Sequence, residues 1–438
     1  PGAYVVVVSV LLVFAVGYTT MARHHVSTGA FYSYIARGLH QQAGGAAAYI
    51  ALLAYNAMQI GLYGLFGAAA NGFFASQFDI NLPWWVYVYL AIAIIAVLGY
   101  RQIDVSVKVL SVLVAAEFAV VLGVLAAIVT KGGDFGTTGL SLAPFSWTSL
   151  ISGSLAIALL FNFASFVGFE ATSIYSEEAK EPRRTVPRAT YVSVIIIGGF
   201  YTVGTWLVIN AAGVGNIPAK IAELPDPTEF LFAISDAYIG TAYTTVMHIL
   251  FITSVFAALL AFHNSVARYT FALGREGLLP AAAGSTHRQH QSPHIGSVGQ
   301  TVVAIVVVSA FVVTGADPVL KLFSWLTNLG TLGVLVLMCL CSISVIAFFR
   351  RNPGLESNAI RTLVAPGIAG VALAAVAAYA TSKFGLLIGA DNALRWVLPG
   401  LLLVAAVAGS VAAHLLKTRD SAAYQQMGKH RGNPESGD

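Results

Sequence analysis

The stretch Leu159-Leu160-Phe161-Asn162-Phe163-Ala164-Ser165-Phe166-Val167-Gly168-Phe169-Glu170-Ala171-Thr172-Ser173 decides how this chain is read. It is apolar enough to lie in lipid, yet Ser165, Gly168 and Glu170 sit in its middle. In lipid, backbone N–H and C=O groups must be satisfied within a helix, unless a broken helix lines a cavity inside the protein. Transporters use such breaks to bind substrate near the bilayer midplane. A helix interrupted between Phe163 and Gly168 exposes the carbonyls of residues 163–167 and the amides that open the half-helix after them. Free carbonyls suit an ammonium group, and free amides suit a carboxylate. The competing reading is an unbroken helix with Gly168 as a close-packing contact, which is common in membrane bundles. This run alone does not separate the two.

The rest of the chain supplies the setting. Of its 438 residues, 57% are hydrophobic and 10% charged, whereas soluble domains carry about 25% charged residues. So few charges cannot cover a soluble protein of this size, and lipid is the solvent for most of it. A spanning helix needs roughly 20 mostly apolar residues. Eleven such runs fall at about 3–22, 44–74, 83–100, 105–130, 147–176, 190–213, 238–270, 296–315, 319–349, 362–388 and 394–416. The chain is therefore expected to be an all-α integral membrane protein, with a membrane domain over 1–416 and a polar tail over 417–438. The tail is rich in Gly, Ser, Asn and Gln and is expected to lack fixed structure. Cys339 and Cys341 lie two apart in one run and point in different directions on a helix, so no disulfide or metal framework follows.

Charge checks the span count. Lys and Arg collect in cytoplasmic loops. Of the 23 Lys and Arg, all but Lys131, Lys220, Lys321, Lys383 and Arg395 fall in one set of alternate loops or in the tail. A wrong span count would put this alternation out of phase. The tail is then cytoplasmic and Pro1 lies outside. An exported N-terminus without a signal peptide is uncommon, so one further helix ahead of Pro1 is expected.

Two carboxylates, Glu117 and Glu170, fall within the runs. Intramembrane acids are costly and usually functional. For Glu117, in Val114-Ala115-Ala116-Glu117-Phe118-Ala119, a hydrogen bond between helices competes with proton binding. For Glu170, beside the suspected break, a functional role is the stronger reading. His287, His290 and His294 read as a solvated basic loop rather than a metal site, because no carboxylate or Cys accompanies them. His248 and His263 read as buried hydrogen-bonding groups. Gly61, Gly64 and Gly67 read as close helix contacts. The chain carries no HExxH, Walker A, nucleophile elbow or dinucleotide fingerprint, so an enzyme has no positive support.

Four segments together carry a family likeness. They are His25-Val26-Ser27-Thr28-Gly29-Ala30-Phe31-Tyr32-Ser33-Tyr34-Ile35-Ala36-Arg37-Gly38-Leu39; Phe166-Val167-Gly168-Phe169-Glu170-Ala171; Ser176-Glu177-Glu178-Ala179-Lys180-Glu181-Pro182-Arg183-Arg184-Thr185-Val186-Pro187-Arg188-Ala189; and Asn264-Ser265-Val266-Ala267-Arg268-Tyr269-Thr270-Phe271-Ala272-Leu273-Gly274-Arg275-Glu276-Gly277-Leu278-Leu279-Pro280. In this order they resemble the amino acid–polyamine–organocation (APC) superfamily of permeases. The resemblance implies a LeuT-type fold, a 5+5 inverted repeat with two extra C-terminal helices. It places Gly168 in the family's sixth helix. Only four runs precede it, so the missing one would be the first.

The resemblance also assigns roles. The carbonyls near Ala164, Ser165 and Val167 would receive a substrate amine, and Gly168 would break the helix. Many relatives carry an aromatic at the position of Ala164; its absence here implies either a roomier site or an aromatic gate supplied elsewhere, by Phe163 or Phe166. Some proton-coupled relatives carry a Lys near the position of Val114, and here Glu117 lies one turn on. Glu170 and Glu117 are the coupling or gating candidates, with a proton or a sodium ion as the ion to consider. The implied function is secondary transport of amino acids or related amines across the cytoplasmic membrane by alternating access, without cofactor, metal or nucleic acid. A polyamine or organic-cation permease is the first alternative, although such sites usually present several acids. A channel is the second, although channels often repeat one pore element in symmetric subunits.

The charge split predicts that a cysteine at position 183 is protected from an impermeant reagent in intact cells while one at position 131 is labelled; the reverse pattern would invert the topology.

Overall fold

A long apolar run in lipid has no hydrogen-bond partner for its backbone except itself, and so it becomes a helix. The structure, a computed structural model, describes residues 1–25, 29–101, 107–151, 153–170, 172, 181–224, 227–290 and 292–428. Ten helices among these are long and apolar enough to cross a membrane. With two short helices and one interrupted one they are numbered α1 (Gly2–His24), α2 (Ala30–Gly38), α3 (Gln41–Phe78), α4 (Trp84–Arg101), α5 (Val107–Lys131), α6 (Leu155–Ala164), α7 (Pro182–Ala211), α8 (Thr241–Arg275), α9 (His294–Val313), α10 (Ser324–Arg351), α11 (Ala365–Ser382), α12 (Leu394–Arg419) and α13 (Ser421–Gln426). The fold is all-α, and the eleven apolar runs correspond to the ten long helices and the short apolar α6.

Several boundaries differ from the sequence reading, for local reasons. The segment after the first run holds a helix, α2, whose apolar residues pack on α3 and α10. Pro182 sits at the first turn of α7, where its missing N–H costs nothing. Arg183, Arg184 and Arg188 therefore ride on a helix rather than a loop. The run at 147–176 does not form one helix: Trp147–Ile151 is a separate turn, and α6 starts only after Ser154, whose hydroxyl accepts the Ile157 N–H at 3.4 Å. The polar tail is helical to Arg419 and again over Ser421–Gln426. Asp420 breaks between them and caps the second helix by accepting the Ala423 N–H at 2.9 Å. Residues 429–438 lie outside the described part, as do 171 and 173–180, where most of the half-helix expected to start at Glu170 and end with the run near 176 would fall.

Packing sorts the helices into two groups. In one, α1 lies against α7, α11 and α6; in the other, α3 lies against α4, α8 and α12, with α9 on α4 and α8. α10 touches both groups through α1, α3, α6 and α11, and α5 touches both through α7 and α8. α3 is the axis of the second group, and small residues let its neighbours come close. Gly61 and Gly67 abut Thr327 and Val88, and Gly64 abuts Pro318. At Gly45 a Cβ would lie 2.5 Å from the Gly409 carbonyl oxygen and 2.7 Å from the Ala413 Cβ. Gly409 faces Gly45 in return, so α3 and α12 touch backbone to backbone.

Overpacking such a contact costs about 1–3 kcal/mol. Gly45→Leu and Gly409→Leu are each expected to lower the melting temperature in detergent. Gly199→Ala on α7, where an added Cβ meets nothing within 4 Å, serves as the matched control and should not lower it.

Candidate functional site

The helix at the centre of the sequence reading does stop. Beyond Ala164 the backbone tightens into three-residue turns, with Phe166 N–H donating to Phe163 C=O at 3.0 Å, Val167 to Ala164 at 3.1 Å and Phe169 to Phe166 at 3.1 Å. Gly168 then takes φ +115°, a conformation that residues with a Cβ rarely adopt. This turn carries its N–H out of the ladder. The lost partner is replaced by a side chain, since Gly168 N–H donates to Glu170 Oε2 at 2.9 Å. The other carboxyl oxygen, Oε1, accepts the Tyr55 hydroxyl at 2.9 Å. Glu170 is 0% exposed. Both oxygens thus have a hydrogen-bond partner.

Aromatic rings pack around this point. Phe169 stands edge-on to Phe14 at 6.2 Å and tilted against Tyr18 at 6.3 Å, both from α1. Phe14 and Tyr18 in turn meet Phe31 of α2, and Tyr18 meets Tyr34. The Tyr55 ring lies edge-on to Tyr269 of α8, which lies edge-on to Tyr32 of α2. Such offset pairs each add about 0.5–1.5 kcal/mol beyond burial. The layer between Glu170 and α2 is therefore aromatic and tightly joined. On the far side of the break, Tyr4 of α1 lies with its hydroxyl 3.0 Å from Ser165 Oγ.

The expected substrate-binding residues are brought together here. Phe163 and Phe166 are buried, while Ala164, Ser165 and Val167 are partly open and Gly168 is exposed. Of the three expected carbonyls, that of Ala164 accepts the Val167 N–H; among the described residues no N–H donates to those of Ser165 and Val167. Beside them lies an apolar gap of about 10 Å³, roughly one water molecule in size. Phe163, Phe166, Val167 and Phe169 line one wall of it, and Val334, Leu335 and Met338 of α10 line the other.

Glu117 lies elsewhere. It accepts the Ser254 hydroxyl at 2.8 Å, which ties α5 to α8, and it does not line the gap. The structure therefore does not join the two acids in one site.

Other groups were not legible as a set. Tyr55, Gln59 and Tyr63 recur every four residues and so form one stripe on α3. Gln59 is buried against three partners, Tyr63, His263 and Gln300, and His263 Nε2 lies 2.8 Å from Ser297 Oγ. Gly99 of α4 leaves room for that imidazole, since a Cβ there would lie 2.5 Å from it. The four-residue spacing of polar side chains in an apolar helix was the available signal. His248 stacks on Phe232 and lies 3.4 Å from Glu229. His287, His290 and His294 gather around the Tyr100 ring, although no group of three or more His, Cys, Asp or Glu among the described residues is placed to hold a metal.

Comparison with known proteins gives a consistent picture. Residues 1–416 match the family described as amino acid permease. The chain is 25% identical over 376 residues to the low-affinity putrescine importer PlaP of Escherichia coli (strain K12), covering 82% of this chain and 76% of that protein. It is 25% identical over 306 residues to the branched-chain amino acid permease BcaP of Bacillus subtilis (strain 168), covering 68% of this chain and 58% of that protein. It is 27% identical over 280 residues to the methylthioribose transporter of the same organism, covering 64% of this chain and 54% of that protein. With its helices laid in one all-α membrane bundle around an interrupted apolar run, and with a match over residues 1–416, the chain belongs to the amino acid permease family.

Proposed function

We propose that this chain carries an amino acid with an apolar side chain across the cell membrane by alternating access, with its C-terminal end in the cytoplasm. The observation that carries the reading is the break at Phe163–Gly168, where no N–H among the described residues donates to the Ser165 and Val167 carbonyls inside a membrane bundle. The Ser165 and Val167 carbonyls suit an ammonium group. The walls next to them are apolar, and they suit a hydrocarbon side chain better than a second amine. The Glu170 oxygens are already engaged and Glu117 lies on other helices, so among the described residues neither of these acids stands open to a diamine's second amine. The gap is water-sized, so a side chain enters only when α10 and the break separate. The relative named a branched-chain amino acid permease agrees with this reading, and the relative named a putrescine importer makes a diamine the competitor to test.

Glu170 offers the coupling step. As a carboxylate it accepts from both Gly168 and Tyr55. A proton on Oε2 faces the Gly168 N–H, donor against donor, and weakens that bond, whereas a proton on Oε1 can be donated to the Tyr55 hydroxyl if that group turns to accept. Protonation at Oε2 would therefore loosen the break, and opening of the bundle would give the proton access.

Four outcomes follow in proteoliposomes. Counterflow should be driven by leucine or isoleucine and not by putrescine, whereas a channel gives no counterflow with either. Leu335→Trp should reduce leucine counterflow more than alanine counterflow, because it fills the gap; equal loss for both would remove the gap from the site. Gly168→Leu should abolish transport while the protein still inserts, since a side chain at this φ costs about 1–3 kcal/mol in strain. Glu170→Gln keeps a hydrogen-bonding side chain but cannot titrate. It should exchange substrate yet fail to accumulate it against a gradient, and accumulation at the unmutated level with unchanged pH dependence would rule out coupling at this residue.

A further inference from the structure

The aromatic layer below Glu170 rests on α2, and α2 is itself covered. Phe31, Tyr32 and Tyr34 turn their rings towards α1 and α8. The short helix fits tightly behind them: Ala36 abuts Gly44 of α3, and Gly38 abuts Ser344 of α10. Its remaining contact is with the end of the chain. After α12 the backbone turns at Asp420, forms α13 and runs on to Met427 and Gly428. Met427 is only 1% exposed, although a methionine at the end of a polar segment would ordinarily be free. Gly428 has φ +68° and lies so close to α2 that a Cβ would sit 3.2 Å from the Ala36 Cβ and 3.2 Å from the Ser33 carbonyl oxygen. Its N–H donates to Glu276 Oε2 at 3.1 Å.

Glu276 opens a turn at the end of α8 that is fixed from two further sides. Gly277 lies against Leu416 of α12, and the Leu278 carbonyl accepts the Tyr49 hydroxyl of α3 at 3.0 Å. The terminal segment is thus anchored on the α3, α8 and α12 group and reaches across to α2. An outward swing of α2 would have to part from Gly428 or displace it, and Gly428 is held in place by Glu276.

We infer that Asp420–Gly428 is a strap that holds α2, and through it the aromatic layer, closed beneath the break, and that releasing the strap is a required part of opening this end of the bundle. Two independent observations support it: a buried apolar anchor at Met427 and a glycine whose close fit and hydrogen bond join α2 to α8. A tail that merely folds back on its own helix would need neither contact with α2.

The test is amide hydrogen exchange by mass spectrometry on the full chain in detergent, comparing the unmutated protein with Met427→Asp. Loss of a buried methionine should free the tail and speed exchange of the α2 amides about tenfold or more. The α10 amides should not change. Counterflow should become faster where opening of this end limits it. Exchange in the tail at the free-peptide rate, with α2 unchanged, would overturn the proposal. Gly428→Val keeps Met427, crowds Ala36 and Ser33 of α2 and strains the tail backbone at its φ of +68°. It is read in the same way, with the same two outcomes, if Met427→Asp does not accumulate. The exchange readout needs no substrate, so failure of the strap is distinguishable from failure of the transport reading.

Discussion

A buried carboxylate held by one backbone N–H and one phenol fixes the centre of this protein. Glu170 takes the N–H that Gly168 withdraws from its helix and joins it to Tyr55 on α3. An unpartnered amide in an apolar interior costs about 1–3 kcal/mol, and a buried charge without partners costs more. Each group is therefore tolerable only because the other is present. The bond also crosses between the two helix groups, since the break follows α6 and Tyr55 belongs to the axis of the other group. Any motion of one group past the other has to stretch or break it.

Energetics and function are linked at this point. Small residues along α3 let α4, α10 and α12 approach closely, and the buried Gln59, His263, Gln300 and Ser297 bind α3 to α8 and α9 through neutral hydrogen bonds. Such bonds between membrane helices are worth about 1 kcal/mol each and act as glue. The second group is thus cross-linked internally. The break and α1 meet α10 across an apolar gap, and among the described residues no side-chain hydrogen bond joins its two walls.

Much of this was legible in the sequence, and for a physical reason. Lipid forces apolar runs into helices, so composition alone locates the spans. A mid-span Gly168 with Ser165 and Glu170 nearby marks the break because each conflicts with an uninterrupted lipid-facing helix. The partner of Glu170 was not legible: Tyr55 lies 115 positions away in the chain, and its four-residue spacing with Gln59 and Tyr63 marks a stripe on one helix without saying what that stripe faces. The same holds for Gln59 and His263, which the fold brings together. Ends were misread where a short signal outweighed composition. Pro182 starts a helix within a charged segment, and the apolar faces of α2 and Met427 find partners that a polar average conceals.

The claim that Glu170 ties the break to α3 is tested most directly by a double-mutant cycle. The unfolding free energy in detergent is measured for the unmutated protein, Tyr55→Phe, Glu170→Gln and the double variant. Tyr55→Phe removes the donor and Glu170→Gln replaces the acidic acceptor by a neutral amide, so the cycle reads how far the bond depends on the acid. The account predicts that the two effects are not additive, with a coupling of about 1–2 kcal/mol. Effects that sum to within about 0.3 kcal/mol would contradict it.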